Sequence, residues 1–206
     1  MKLWIGGYIF LILIFIDSPA CKKFVEVGPP KNLITSSTVF ESDATAASAL
    51  IGLYSKMESA GAGFVNGDLN SISVLSGLSA DELKDYSGIQ DQAEFFTNTL
   101  QPNNNNLTIS LWSMGYSLIY DANAIIEGLQ GSLSVNENLK KQLRGEALFI
   151  RAFCHLYLFN LFGEIPVITT TDYKTNTVAA RSTAEATYQQ IISDLTDAQN
   201  SLSADY

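Results

Sequence analysis

The stretch from Arg144 to Ile168, RGEALFIRAFCHLYLFNLFGEIPVI, constrains the fold of this chain more than any other. Between Ala147 and Phe162 only Arg151, His155 and Asn160 are polar, and the run closes on Gly163 and Pro166, residues that stop helices in water-soluble proteins. The pattern predicts a helix from about Asn136 to Phe162 that is apolar around most of its circumference. Lys140, Arg144, Arg151 and His155 make one narrow basic stripe, with Glu146 and Asn160 opposite. Such a helix is stable in water only when other helices cover it. Its uninterrupted apolar runs are short, and Arg151 with His155 would sit near the middle of a bilayer, so the pattern argues against a membrane span.

Companion helices are available. From Asp43 to about Ser59 the apolar positions Ala47, Leu50, Ile51, Tyr54 and Met57 recur at helical spacing, and Gly61 and Gly63 end the run. A weaker helix is expected over Asp68 to Leu78. From Leu107 to about Leu129, Trp112, Tyr116, Ile119 and Ile126 fall within roughly 40° on a helical wheel. Asn123 shares that stripe and must find hydrogen-bond partners there. A last helix is expected to open on Ser182, with Glu185 completing a capping box, and to carry Tyr188, Ile191, Leu195, Ala198 and Leu202 on one seam. The fold class implied is all-α: a layered helical array with little or no β structure. In it Trp112 and Tyr116 are core residues, and the basic stripe is a structural ion-pair row. Glu146 is expected to meet a buried donor, and Gly163 and Pro166 terminate the central helix.

One segment breaks the helical pattern. Ser79 to Asn106 is polar, long and without a clear period, and loops of that kind in compact domains are commonly functional. Asp81, Tyr86, Phe95, Phe96 and Asn98 supply the rings, carboxylate and amide that bind a sugar, whose C–H faces pack on aromatics while its hydroxyls hydrogen-bond. The plainer alternative is that Phe95 and Phe96 pin the loop to the helices and that Asn103 to Asn106 form a solvated turn.

The amino terminus is a separate matter. Lys2 precedes an apolar run from Leu3 to Ile16, too short to span a bilayer comfortably, which leads into Ser18-Pro19-Ala20-Cys21. That ending resembles the lipobox of bacterial lipoproteins, except that Ser18 stands where Leu is usual. The organisation expected is a lipoprotein signal peptide at 1–20, an extended tether at 21–41 with lipidation at Cys21, and a helical domain at 42–206. The chain carries a net charge of −9, which argues against nucleic acid as a partner. Cys154, inside the apolar helix, reads as a small buried hydrophobe with no disulfide.

Catalytic patterns are missing. One histidine allows no paired-His metal site, and neither a Gly-x-Ser-x-Gly elbow nor a phosphate-binding Gly-Lys-Thr loop occurs. Acidic pairs such as Asp81 and Asp85 are expected by chance in so acidic a chain. The chain is read as a non-enzyme with no cofactor and no metal.

Five blocks together resemble the SusD/RagB-like nutrient-binding lipoproteins of the Bacteroidetes outer membrane. They are ACKKFVEVGPP after the signal, SALIGLYSKM, LWSMGYSLIYDANAIIEGL, LRGEALFIRAFCHLYLFNLFGEIPVI and ARSTAEATYQQIISDLTDAQNSL. Glu164 replaces the usual Asp, and family members run to well over twice this length, so by this resemblance 42–206 is the amino-terminal part of a SusD-like helical domain. The resemblance implies tetratricopeptide-like helix pairs with irregular insertions. It further implies a lipid-anchored, surface-exposed outer-membrane protein that passes a glycan or peptide to a SusC-like TonB-dependent transporter. A helical-repeat adaptor that binds peptides and faces the periplasm shares the fold expectation.

Overall fold

The computed structural model describes residues 36–59 and 64–202. The signal segment, Cys21, the tether as far as residue 35, and Gly61 with Gly63 lie outside the described residues. Those described are helical with no strand, and no helix among them is long and apolar enough to cross a membrane.

Order begins ahead of Ser42, in the short helix α1 (Ser36–Val39). Phe40 follows it; its carbonyl accepts from Ser132 Oγ at 2.6 Å, and its ring packs on Gly128. Helix α2 (Asp43–Glu58) is capped by Ser42, whose hydroxyl accepts from the Thr45 amide. It buries Ala46, Leu50, Leu53 and Met57. The expected stripe is thus rotated: Ile51 and Tyr54 stand exposed. Apolar residues occupy two faces of this helix, and the face that meets the other helices wins. Helix α3 (Ile72–Ser79) is capped by Ser71 and begins later than the sequence pattern implies. The segment after it is not all loop, for Gln90–Phe96 form α4.

Asn106–Ser113 is a π-helical stretch that runs into the regular helix α5 (Met114–Gly131). Its wide turn shows in the Met114 amide reaching Ile109 O and in Ser113 Oγ donating to Thr108 O, each five residues back. Helix α6 (Glu137–Phe162) is the central element. Asn136 caps its start, and Gly163 ends it at φ 73°, a left-handed conformation that a side chain would resist. A short helix α7 (Tyr173–Asn176) precedes α8 (Ala184–Ser201). The cap of α8 is Thr183, whose hydroxyl accepts from the Ala186 amide. Ser182 instead uses its own amide to reach Ile165 O at 2.9 Å.

Helix α3, the π-helical stretch and α5 bring Leu75, Leu111, Leu118 and Ile119 into one core with Ile150 and Leu158 of α6. Gly115 sits against Leu158, and Gly145 against Leu202, so the central helix approaches a neighbour closely at both places. The buried face of α8 is Thr187, Ile191, Asp194 and Ala198. That corrects the expected seam: Tyr188 and Leu195 are 40% and 39% exposed.

Arg151 and His155 of the central helix face the irregular strap from Glu164 to Asp172. Arg151 is buried and pairs with Asp194 of α8 through Nε at 2.8 Å and Nη2 at 2.6 Å, while its Nη1 donates to Asn123 Oδ1 at 2.8 Å. Asn123 in turn donates from Nδ2 to the carbonyls of Ile168 and Thr170. His155 Nε2 accepts from the Ile168 amide at 3.3 Å, and Glu127 binds the amide and hydroxyl of Thr171. A strap with no ladder of its own must have its backbone satisfied by side chains, and this row supplies them. Arg144 pairs with Asp197 at 3.5 Å, and Lys140 with Glu137 at 2.7 Å. Lys140, Arg144 and Arg151 thus stand in ion pairs, while His155 serves as a hydrogen-bond acceptor. Glu146 differs from expectation: its donors, the Tyr54 hydroxyl and the Gln142 amide, are not buried.

Candidate functional site

The segment between α3 and α4 builds a cleft of about 390 Å³. Its apolar wall is Leu69, Val74, Leu78 and Leu83, and Tyr86 stands on the rim. This volume is at the small end of the range for ligand pockets, roughly 300–1,000 Å³. Tyr86 is 88% exposed, and among the described residues its ring meets no other ring.

Local sequence explains the rim. After α3 the amides of Glu82 and Leu83 both return to Gly77 O, and Leu83 packs directly over the bare Cα of Gly77. Asp81 takes φ 59° in this reversal, a conformation that Asp tolerates better than most residues. The chain then turns at Asp85-Tyr86-Ser87, where Asp85 Oδ1 accepts from the Ser87 amide at 2.8 Å and its hydroxyl at 2.6 Å. The Ser87 hydroxyl and amide hold the Asp85 carboxyl below the ordinary aspartate value. Tyr86, at the middle of this turn, is pushed outward.

Helix α4 closes the other side. Gln92 is 3% exposed and lines the cleft; its Nε2 donates to Asn70 Oδ1 at 2.9 Å. Its Oε1 has no partner among the described residues. A buried carbonyl left in that state costs about 1–3 kcal/mol, so a native structure keeps one only where something else supplies the donor.

The residues singled out from sequence separate here. Tyr86 is exposed and lines the cleft. Phe95 is 3% exposed and belongs to the core, and Phe96 packs against that core; burial removes the Phe95 ring from any ligand face. Asn98 adopts φ 53° and donates to Ser79 O at 3.2 Å, tying the end of α4 to the end of α3. Asp81 is exposed but does not line the cleft. The Asn run is likewise structural: Asn104 is 1% exposed and donates to Asp91 O and Glu94 Oε2. The Asn104 amide holds the Glu94 carboxyl below its usual value.

Trp112 and Tyr116 are half-buried and stack at 4.9 Å, with Trp112 meeting Phe162 edge-on at 5.1 Å. The Tyr116 hydroxyl donates to Pro166 O at 2.8 Å, and burial raises its pKa well above the ordinary tyrosine value. Both rings line a second hollow of about 290 Å³ with Tyr120 and Pro166. Tyr116 thereby ties α5 to the strap, and Trp112 ties the π-helical stretch to the end of α6. No cluster of side chains among the described residues has the makings of a metal site. Cys154 is fully buried, and burial pushes its thiol up to about 12, so it is inert as a nucleophile.

Comparison with known proteins adds to this geometry. Residues 23–206 match the SusD-like family described as starch-binding and associating with the outer membrane. SusD-like protein P25 of Formosa agariphila is 26% identical over 214 residues, covering 97% of this chain and 38% of the relative. A SusD superfamily protein from Bacteroides thetaiotaomicron superposes with a TM-score of 0.65 at 19% identity, over 79% of this chain and 38% of that one. The surface glycan-binding protein A of Bacteroides uniformis gives 0.63 at 23% identity, over 78% and 35%. These structural likenesses establish the helical fold. The chain spans less than two-fifths of the length of these relatives.

Proposed function

Since the chain belongs to the SusD-like family, we propose that the protein captures glycans at the outer membrane and passes them to a SusC-like TonB-dependent transporter. The observation that carries this reading is the family match along residues 23–206. The Tyr86 ring gives it a physical means. A pyranose presents an apolar C–H face, and an aromatic ring standing free of other rings offers a matching surface at little conformational cost. Such capture requires no catalytic group. Anchoring through acyl chains on Cys21 would keep the protein at the membrane, each buried CH₂ contributing about 0.8 kcal/mol. Outward orientation, delivery to the transporter and lipidation belong to the same proposal.

The test is a glycan panel presented to the full chain and to Tyr86→Ala. Glycan binding that weakens about tenfold in the variant supports the reading, in line with the worth of one aromatic contact. Binding of peptides with no glycan bound refutes it and favours the periplasm-facing adaptor. Protease treatment of intact cells tests orientation: an inward-facing protein is spared, and that result overturns surface exposure.

A further inference from the structure

Beneath the aromatic rim, the unpartnered Gln92 carbonyl defines what kind of group the cleft can accept. We infer that Gln92 Oε1 is the specificity-determining acceptor of this cleft, taking a hydrogen bond from a hydroxyl of an uncharged pyranose whose C–H face lies against Tyr86. This rests on the carbohydrate-binding reading and adds to it a ligand class and a residue.

The chemistry follows from the lining. Gln92 Nε2 gives one of its two N–H groups to Asn70, while Oε1 receives nothing among the described residues. The unmet group is the acceptor, so the ligand group that satisfies it must donate. An anionic group, such as a uronate or sulfate, would set oxygens against that carbonyl. Lys84 and Asp85 both line the cleft, so their opposite charges offset and give no net attraction to an anion or a cation. A neutral hydroxyl satisfies the carbonyl without needing a net charge in the lining, and the leucine and valine wall suits the rest of a sugar ring.

Access requires a movement that the structure makes inexpensive. Oε1 is fully buried, so the lining must shift for a ligand to reach it. From Lys84 to Gly88 the chain joins no helix. Among the described residues, the hydrogen bonds of this turn run among Asp85, Ser87 and Ile89. Those bonds travel with the turn when it moves. Segments held this way open without disturbing the elements beside them.

Calorimetric titration of the full chain with neutral α- and β-linked gluco-oligosaccharides and with oligogalacturonate tests the inference, using wild type, Tyr86→Ala and Gln92→Leu. Neutral oligosaccharides are expected to bind, oligogalacturonate at least tenfold more weakly, and Gln92→Leu to lose roughly fivefold with Tm unchanged or raised. In wild-type protein the Gln92 side-chain amide resonance should shift on titration with the neutral sugar, a readout that does not depend on a variant folding. Gln92→Leu binding as tightly as wild type, or an unmoved amide resonance, overturns the inference and leaves the carbonyl to a trapped water. If Tyr86→Ala still weakens binding in that case, the carbohydrate reading survives. Preference for oligogalacturonate overturns the neutral class alone, and no binding of any oligosaccharide overturns both readings.

Discussion

Removing the Asp194 carboxylate should be the most damaging single change in the helical array. The Arg151 and Asp194 side chains are 8% and 3% exposed, and the guanidinium fork binds both carboxylate oxygens. In Asp194→Ala the guanidinium keeps only Asn123 Oδ1 at 2.8 Å and the longer contact to Thr169 O at 3.4 Å. An unpaired buried charge of this kind costs about 3–5 kcal/mol, a large part of a total stability that is typically about 5–15 kcal/mol. Replacing both partners, as Arg151→Met with Asp194→Leu, removes the charge problem. It strips Asn123 Oδ1 of its donor, however, so about 1–3 kcal/mol should remain. The double variant should thus be more stable than Asp194→Ala alone. Urea unfolding followed by tryptophan fluorescence gives the comparison, with Asp197→Ala as control: its pair with Arg144 is half exposed and worth at most about 1 kcal/mol. An Asp194→Ala cost below about 1 kcal/mol, or a double variant less stable than Asp194→Ala, refutes the reasoning.

Gly128→Ala should destabilise by about 1–3 kcal/mol, because a Cβ there would lie 2.1 Å from the Phe40 ring. Gly52→Ala, with open space around the new methyl, should instead stabilise by up to about 1 kcal/mol; thermal melts of both variants check the contrast. Burial, with help from the Arg151 charge, lowers the His155 pKa to about 4 from 6.5. The unfolded chain therefore takes up a proton that the folded chain refuses, and stability falls as pH drops through the window from about 6.5 to about 4, by on the order of 3 kcal/mol. Urea midpoints across that window should show the slope in wild type and a shallower one in His155→Gln; equal slopes exclude the histidine as its source.

What could be read from the sequence follows from where periodic burial decides the structure. The central helix ran from cap to stop as its apolar content required, because a helix covered on most sides leaves no choice of face. Helices α2 and α8 left that choice open. Each carries apolar residues on two faces, so the rotation that buries Leu53 in place of Ile51, or Asp194 in place of Leu195, depends on partners that no local pattern names. The Asp194 position was nonetheless encoded at a distance. Arg151 inside an apolar helix demands an anion on whichever helix covers it, and the seam of α8 that supplies one must pass through an acidic residue. The strap from Glu164 to Asp172 has no period at all, yet Asn123, Arg151 and His155 imply backbone nearby in need of partners. Tyr86 could be picked out because a ring in a polar turn has few places to hide. Gln92 could not, since one glutamine in a polar segment looks like any other until the fold buries it and leaves its carbonyl without a donor. The same physics that makes a core polar residue a demand for a partner within the chain makes an unmet demand at a cleft a statement about the ligand.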